Sequence, residues 1–213
     1  IDQLTLGEVE AFNATTGSLS GIIPAAQMTN LPFLFANRYV GWQLFNDPEY
    51  LAYVQAYWLN ASNGTVRLLG AAENSIRNLY TTRGPVKTPG DLGEYNIKMR
   101  VPPIPMYVDL FTELGSPAIV SIPAAERYTA LQSGLMDGTE GGLASAWQAG
   151  LLEVCDYVTL TGHMFDHHYY VFNNEFYEAL SPEFQQIIDD AGVLAAWVQS
   201  VGVELSEAES LQL

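Results

Sequence analysis

The amino-acid sequence predicts an α/β protein with largely parallel strands. Short apolar runs alternate with segments of helical periodicity along the chain, which is the arrangement typical of α/β proteins. The chain has 213 residues, of which 48% are hydrophobic, so it can bury a full core. This length alone allows either one large domain or two small lobes.

A first helix is predicted over residues 48–59. Asp47 is a residue type that caps helix N-termini, and Pro48 is suited to the first helical position. The apolar residues Val54 and Trp58 follow at helical spacing. The segment therefore predicts a helix with one apolar face.

Three short strands and a second helix are predicted in the middle and late parts of the chain. Residues 66–69, 97–101 and 169–172 are apolar runs bounded by polar or proline-containing segments, as strands are. Residues 125–133 have a helical pattern, and Gly134 is placed where a glycine commonly ends a helix.

A long final helix is predicted to begin at Pro182. Ser181, Pro182 and Glu183 repeat the pattern of cap, proline and early acid. The apolar residues that follow at helical spacing are Phe184, Ile187, Ile188, Ala191, Leu194, Ala195 and Val198. We expect this helix to continue past Val201.

The composition excludes several classes of protein. The chain has 24 acidic and 8 basic residues, a formal net charge of −16, which disfavours binding to nucleic acid or to an anionic membrane surface. Cys155 is the only cysteine, so an internal disulfide and a cysteine-based metal cluster are excluded, and we expect Cys155 to be a small buried apolar residue.

Features of a membrane-spanning protein are missing from the sequence. It contains no apolar run of about 18 residues, so no spanning helix is predicted. The chain opens at Ile1 without a basic and then apolar leader, so we expect a mature or trimmed form without its signal peptide.

The basic residues are concentrated in the middle of the chain, and five of the eight lie between positions 77 and 100. They are Arg38, Arg67, Arg77, Arg83, Lys87, Lys98, Arg100 and Arg127. A bound anion must therefore be held largely by this middle part. The planar guanidinium of arginine suits that task, because it can donate two parallel hydrogen bonds to a carboxylate.

Arg100 is the basic residue best placed to bind a ligand. It stands near the end of the predicted strand 97–101, and Pro102 and Pro103 follow where the backbone must leave the sheet. Ligands of α/β proteins usually bind at strand ends. The local sequence leaves a second interpretation open, in which Arg100 forms a surface ion pair with one of the many acids.

Longer motifs resemble a known family. They are Lys98-Met99-Arg100-Val101-Pro102, Leu114-Gly115, Glu126-Arg127-Tyr128-Thr129-Ala130-Leu131-Gln132-Ser133-Gly134 and Asp137-Gly138-Thr139-Glu140. Together with shorter matches on both sides they cover nearly the whole chain. They resemble the solute-binding proteins of tripartite ATP-independent periplasmic (TRAP) transporters, the DctP type.

The resemblance implies a two-lobed periplasmic-binding-protein-like fold with a hinge and a ligand cleft between the lobes. Lobe I is expected from residues 1–74 and 167–200, and lobe II from residues 75–166, with 201–213 packing across. Family members are longer at both ends, so we expect N- and C-terminal parts of the family fold to be missing from this chain.

The resemblance also implies a function. It predicts a periplasmic, monomeric binding protein that captures a small carboxylate solute, such as a C4-dicarboxylate or a sugar acid, and delivers it to the TRAP permease in the membrane. It implies neither catalysis nor a cofactor or metal.

Several site residues are implied by matching positions in the family motifs. Arg100 is at the position of the arginine that pairs with the ligand carboxylate, and Arg77 matches a second ligand arginine. Asn13, Thr15 and Thr16 match a loop that faces the cleft.

The sequence departs from the family pattern near this site. Gly141 stands where many members have an asparagine that binds ligand, so that contact is missing or made by backbone N–H groups. A longer stretch before Ala125 leaves open which of Ile122, Pro123 and Ala124 lines the pocket, and Pro123 is our candidate. Trp147 is a candidate wall of the cleft.

Three other interpretations are open. Asp137 and Glu140 form an acid pair of the kind that glycosidases use, although Asp137 also suits a local turn and Glu140 suits orienting Arg100. His163, His167 and His168 suggest a metal site, but the strand predicted after them breaks the helical spacing that such a site requires, and His167 is a candidate ligand contact instead. A structural domain without a small ligand is the third alternative.

Overall fold

The computed structural model describes residues 1–211 as two compact units. Unit 1 contains Ile1–Ser75 and Phe165–Leu205, and unit 2 contains Ile76–Met164 and the described residues from Ser206 onward. The predicted segment 201–213 ends in two residues, 212 and 213, that lie outside the described residues.

Ten α-helices are found in the described chain. In chain order they are α1 (Asp2–Thr5), α2 (Thr16–Leu19), α3 (Arg38–Phe45), α4 (Pro48–Ala61), α5 (Asp91–Glu94), α6 (Pro105–Glu113), α7 (Arg127–Gln132), α8 (Leu143–Gln148), α9 (Asn174–Glu178) and α10 (Pro182–Ser210). Short 3-10 helices span Pro24–Asn30, Ala124–Glu126 and Leu151–Glu153.

Six β-strands accompany them in the described residues. They are β1 (Ala11–Thr15), β2 (Val66–Thr81), β3 (Met99–Val101), β4 (Ile119–Ser121), β5 (Gly138–Gly142) and β6 (Tyr157–Asn173). Two of them are much longer than predicted, because the apolar runs at 66–69 and 169–172 are only parts of β2 and β6. Strand β2 leaves unit 1 after Ser75, and β6 leaves unit 2 after Met164.

The strand directions correct the expectation of a largely parallel arrangement. In unit 1, β1 is antiparallel to β6. In unit 2 the order is β2-β5-β3-β4, with β5 antiparallel to β2 and β3 parallel to both β5 and β4. An apolar run predicts a strand but not the direction of its partner, which is set by pairing over long sequence distances.

Two of the three predicted helix starts are found in the structure, whereas the helix predicted over 125–133 is divided into a 3-10 turn at Ala124–Glu126 and α7. The Asp47 side chain accepts hydrogen bonds from the backbone N–H groups of Glu49 at 2.8 Å and Tyr50 at 2.9 Å, and Pro48 is the first residue of α4. This cap satisfies N–H groups that have no partner within the helix. The final helix begins at Pro182 and continues past Val201, as predicted.

Helix α10 packs against β2 through small residues. A Cβ atom added to Gly192 would lie 2.4 Å from the Cβ of Leu69, and one added to Gly70 would lie 2.9 Å from the carbonyl oxygen of Gly192. Much of the apolar stripe predicted on this helix, including Phe184 and Leu194, is exposed instead. The helix and the strand therefore come close together because Gly192 and Gly70 lack a side chain at the contact.

Unit 2 has an apolar cluster on each face of its strands. One cluster contains Leu79 of β2 and the other contains Tyr80, and consecutive strand residues point to opposite faces. Cys155 is buried in the second cluster, as expected. No helix of the described residues is both long enough and apolar enough to cross a membrane.

Candidate functional site

Arg100 is the central residue of β3 and lies in the interior of unit 2, where its residue is 2% exposed. It is paired in register with Thr139 of β5, and Thr139 is paired with Tyr80 of β2. Residues paired in this way point to the same face of a sheet. Arg100 therefore belongs to the face of the second apolar cluster.

The Arg100 guanidinium is oriented by a backbone carbonyl. Its Nε donates a hydrogen bond to the carbonyl oxygen of Ile122 at 2.8 Å, and its Nη2 donates to the same oxygen. A carbonyl satisfies donors but carries no net charge. The positive charge of Arg100 is thus buried against a neutral group.

Arg127, the first residue of α7, is a second buried arginine and is 9% exposed. Its Nε donates to the carbonyl oxygen of Ala124 at 3.2 Å. Within residues 1–211, neither Arg100 nor Arg127 forms an ion pair with a carboxylate. Both guanidiniums are therefore positioned by carbonyls of one short segment, Ile122–Ala124, and neither forms an ion pair within the described chain.

Arg77 has a counter-charge. Its Nε lies 2.5 Å from Glu140 Oε2, and its Nη2 donates to Glu140 Oε1 at 2.7 Å. In register, Glu140 of β5 is opposite Leu79, so this ion pair belongs to the face of the first cluster. The fork of Arg77 is thus already bonded to a carboxylate of the same unit.

The buried charged groups of unit 2 have shifted pKa values. Burial and the charge of Arg127 lower the pKa of Arg100 to about 10, and burial lowers that of Arg127. Burial alone would raise the pKa of Glu140, but Arg77 and the nearby His163 outweigh it and lower that pKa to about 2. Glu140 is therefore ionised.

Gly141 lies beside Arg127. Its φ is +154°, which side-chain-bearing residues rarely adopt, and an added Cβ would lie 3.2 Å from Arg127 Nη1. A glycine at this position therefore leaves space next to the guanidinium. Pro123, another predicted site residue, lies between the two carbonyls that orient Arg100 and Arg127.

Trp147 is on α8, the helix that follows β5 directly. About half of it is exposed, and its indole side chain forms no hydrogen bond or aromatic ring contact in the described part of the chain. The structure therefore gives no contact between Trp147 and the arginines of residues 1–211, and its role as a cleft wall stays a prediction.

The remaining predicted site residues belong to unit 1. Asn13 donates to Gln199 at 3.0 Å and is 2.7 Å from Nδ1 of His168, and Thr15 caps α2 by accepting from the Ser18 N–H. The hydroxyl of Thr16, the third residue of that predicted loop, accepts from Asn30 at 3.0 Å. Both Asn13 and Thr15 are exposed.

His167 is a core residue of unit 1. It is fully buried, lies 2.9 Å from the Thr29 hydroxyl and 3.0 Å from that of Tyr169, and packs against the ring of Phe45. Burial lowers its pKa to about 4. A neutral imidazole that bonds two hydroxyls has a structural role here, and its contact with ligand stays a prediction.

The acids of the hydrolase alternative have structural partners. Asp137 accepts from Arg83 Nε at 2.7 Å and from the Lys98 backbone N–H at 3.2 Å. Glu140 pairs with Arg77, which corrects the expectation that it orients Arg100. No group of three histidine, cysteine or acidic side chains in the described chain is placed to hold a metal ion.

The sequence prediction counted Arg127 among the basic residues but gave it no role. The available signal was its position inside the long motif, directly after Glu126 and at the beginning of a predicted helix. Its burial next to Arg100 depends on how the 122–127 segment folds back on β3, which the local sequence does not reveal.

Comparison with known proteins identifies relatives of the whole chain. Residues 1–212 match the model of a family described as bacterial extracellular solute-binding protein, family 7. A solute-binding protein of Verminephrobacter eiseniae is 27% identical over 214 residues, which cover 99% of this chain and 61% of the relative. The 2,3-diketo-L-gulonate-binding periplasmic protein YiaO of Escherichia coli is 29% identical over 187 residues, covering 85% of this chain and 53% of the relative.

A solved structure supports the same relationship. A TRAP periplasmic solute-binding protein from Chromohalobacter salexigens with bound D-glucuronate superposes with a TM-score of 0.88 at 28% identity, covering 99% of this chain and 68% of that one. This match confirms the predicted fold class. The chain spans between about half and three-fifths of the length of the two curated relatives.

Proposed function

The chain belongs to family 7 of the bacterial extracellular solute-binding proteins, and we propose that it is the solute-binding part of a TRAP-type uptake system. In this role it captures a small carboxylate-containing solute in the periplasm and presents it to permease subunits in the membrane. We propose that it acts as a monomer. The cleft and the hinge implied by the resemblance are part of this proposal.

The observation that carries the proposal is the burial of Arg100 without a carboxylate partner in the described chain. Burying a charge without a counter-charge costs several kcal/mol, so such a group is favourable only where an anion completes it. Its Nε and Nη2 are held by the Ile122 carbonyl, which fixes the plane of the guanidinium. A fixed guanidinium suits bidentate binding of a carboxylate.

The chemical class of the solute is proposed from the relatives. One binds 2,3-diketo-L-gulonate according to its name, and another holds D-glucuronate in its crystal structure. Both ligands are six-carbon sugar acids with a carboxylate. We therefore propose an acid of this general kind, with Arg100 binding the carboxylate and Gly141 and Pro123 lining the same region of unit 2.

A hydrolase is disfavoured by the state of Glu140. A glycosidase needs one carboxyl group with a raised pKa that can donate a proton. The pKa of Glu140 is instead lowered to about 2, and the carboxylate is fully buried in an ion pair. Non-enzymatic binding is the function we propose.

The first experiment measures solute binding and its dependence on Arg100. A thermal-shift screen over sugar acids, oxo acids and dicarboxylates identifies a solute that raises the melting temperature, and calorimetry then gives its affinity. We expect Arg100→Ala to weaken binding by about 30-fold to several thousand-fold, which corresponds to losing one partner of a buried charge pair. Arg100→Lys should also bind poorly, because an ammonium lacks the planar fork.

Lys87→Gln is the matched control, because it removes one positive charge from an exposed position in the same unit. Its affinity should equal that of the unmodified chain. Unchanged affinity in Arg100→Ala would refute the proposed role of Arg100. If no acid raised the melting temperature, a structural domain would be favoured, and glycoside turnover lost in Glu140→Gln would favour the hydrolase.

A further inference from the structure

The face of helix α10 that points away from β2 is apolar and exposed. Gly192 and Ala196 lie on the face in contact with β2, where Gly70 comes close to both of them. Leu194 and Val198 each follow one of these residues by two positions, which places them about 200° around the helix axis. They are 60% and 55% exposed. One side of α10 thus packs on the strand, and the opposite side presents large apolar side chains to solvent.

The apolar residues on this side follow a regular repeat. Alternating steps of three and four positions connect seven apolar residues, which we call the α10 stripe: Phe184, Ile187, Ala191, Leu194, Val198, Val201 and Leu205. This is the heptad spacing by which one helix packs lengthwise against another. The α10 stripe extends over about 31 Å of helix, and all of it belongs to unit 1.

The size of this exposed surface indicates an interaction site. Single apolar residues are common on protein surfaces, whereas a contiguous apolar patch of more than a few hundred Å² marks a place where another molecule binds. Five side chains of the α10 stripe are more than half exposed, and the exposed side chains of Val193 and Trp197 lie beside them on the same helix. The heptad repeat makes another helix the best-fitting occupant.

An acidic row runs beside the α10 stripe. Glu183, Asp190 and Glu204 each directly precede a residue of the stripe. In a pair of packed helices, the charges that flank the apolar repeat select the partner. Glu183 and Asp190 are exposed and form no ion pair within the described chain, whereas Glu204 lies 4.0 Å from Arg38. Helix α10 contains no lysine or arginine, so this row is complemented by a partner that brings positive charges.

The same charges disfavour two other occupants. In an antiparallel pair of two α10 helices the acidic rows would face each other, a parallel pair would offer them no base, and each chain has a net charge of −16. Helices that lie in a membrane interface have lysine or arginine beside their apolar face, and α10 has neither. A second copy of this chain and a membrane surface are therefore poor fits.

We propose that the α10 stripe is the docking surface for a partner protein that presents an amphipathic helix, with an apolar stripe flanked by lysine or arginine. Covering the α10 stripe removes apolar surface from water and supplies most of the affinity. The acidic row selects a basic partner and aligns its helix. This surface belongs to unit 1, whereas the arginines of the proposed solute site belong to unit 2, so the two proposals are independent.

The test titrates the full chain with three synthetic peptides, each about three heptads long. The first has leucine at both apolar positions of every heptad and lysine at the flanking positions. The second has glutamate in place of each lysine, and the third has the composition of the first with its leucines scattered around the helix. By calorimetry we expect the lysine-flanked peptide to bind about 10-fold or more tightly than either of the others.

Variants of α10 then assign the binding to the stripe. Leu194→Gln and Val198→Gln should each weaken binding of the lysine-flanked peptide by about 10-fold or more, because a polar group then lies at the centre of the contact. Val193→Gln is the matched control, since Val193 is 60% exposed on the same helix but lies outside the α10 stripe. Its affinity should stay within about 2-fold of the unmodified chain. All three sites are exposed, so the variants should fold, and circular dichroism checks this.

Several outcomes would overturn the proposal. If the lysine-flanked peptide did not bind, bound no better than the scattered peptide, or bound equally well to Leu194→Gln, the α10 stripe would not be its docking surface. Equal binding of the glutamate-flanked peptide would exclude selection by charge. Sedimentation of the chain alone and flotation with phosphatidylcholine–phosphatidylglycerol vesicles test the other occupants. Dimers, or vesicle binding, that disappeared in Leu194→Gln would assign the stripe to a second copy or to a membrane instead.

Discussion

At the scale of single residues, the buried charges of unit 2 differ in whether they form an ion pair. Arg77 and Glu140 form a close ion pair, whereas Arg100 and Arg127 are held by neutral carbonyls. Breaking a buried pair costs far more than removing an exposed charge, because the remaining charge stays in a poorly polarisable interior. The Arg77–Glu140 pair therefore contributes to folding.

The Arg77–Glu140 pair predicts a defined pH dependence of stability. The pKa of Glu140 falls from 4.5 to about 2 on folding, so its contribution is fully present above about pH 5 and is lost as the pH falls toward 2. A difference of this size corresponds to roughly 3 kcal/mol. We expect Glu140→Gln to lower the free energy of unfolding by about 3–5 kcal/mol at pH 7.

Urea unfolding of both proteins between pH 7 and pH 2.5 measures this effect. The difference between the unmodified chain and Glu140→Gln should shrink steadily below pH 4.5. Glu113→Gln removes an exposed acid of the same unit and should change stability by less than about 0.5 kcal/mol. A difference that stayed constant from pH 7 to pH 2.5 would contradict the ion pair as its source.

The sequence predicted some of these residues and not others, for a physical reason. Arg100 can be singled out from the sequence because its motif and its place at a strand end are local features, and its ligand-binding role stays a prediction. The carboxylate partner of Arg77 could not be predicted, because Glu140 is 63 residues away and is brought close only by the β2–β5 pairing. The burial of Arg127 was not predicted for the same reason, because it depends on how the folded unit brings residues 122–127 close to β3.

At the scale of secondary-structure elements, the predictions were accurate for the starts of α4 and α10 and weak for strand length and direction. The start signals at Asp47–Pro48 and Ser181–Pro182 are chemical features of two or three adjacent residues. Strands β2 and β6 continue through polar residues such as Glu73 and Asp166, which an apolar pattern treats as strand ends. Long pairing, not side-chain polarity, decides where these strands end.

The close packing of α10 on β2 gives a test at this scale. We expect Gly192→Ala to lower the free energy of unfolding by about 1–3 kcal/mol, because the new Cβ would lie 2.4 Å from Leu69 Cβ and the helix must shift outward. Gly202→Ala is the matched control in the same helix. Nothing lies within 4 Å of its added Cβ, so this change should stabilise the protein by about 0.5–1 kcal/mol.

Urea unfolding of the two variants measures both signs in one experiment. Opposite signs for Gly192→Ala and Gly202→Ala would separate steric contact from helix propensity, because both substitutions bring the same gain in propensity. Equal stabilisation by both would show that α10 does not lie as close to β2 as the structure places it.

At the scale of the whole molecule, charge is distributed very unevenly. The formal net charge is −16, while three of the eight basic residues, Arg77, Arg100 and Arg127, are buried or largely buried in unit 2. Five acids are buried as well, namely Glu73, Asp137, Glu140, Asp166 and Glu207. The exposed surface therefore keeps a large excess of negative charge. Such a surface keeps the protein soluble, but its self-repulsion destabilises the compact state.

Screening by salt should consequently stabilise this protein. At pH 7 we expect the melting temperature to rise by several degrees between 10 mM and 500 mM NaCl, since the Debye length falls from about 30 Å to less than 10 Å. For a chain of this size, each kcal/mol gained raises the melting temperature by about 2–4 °C. Calorimetry at pH 4.2 is the control, because the net charge is near zero there and the salt effect should vanish. A melting temperature that fell with salt at pH 7 would mean that attractive ion pairs such as Arg77–Glu140, and not the repulsion among the surface acids, dominate the electrostatic free energy of folding.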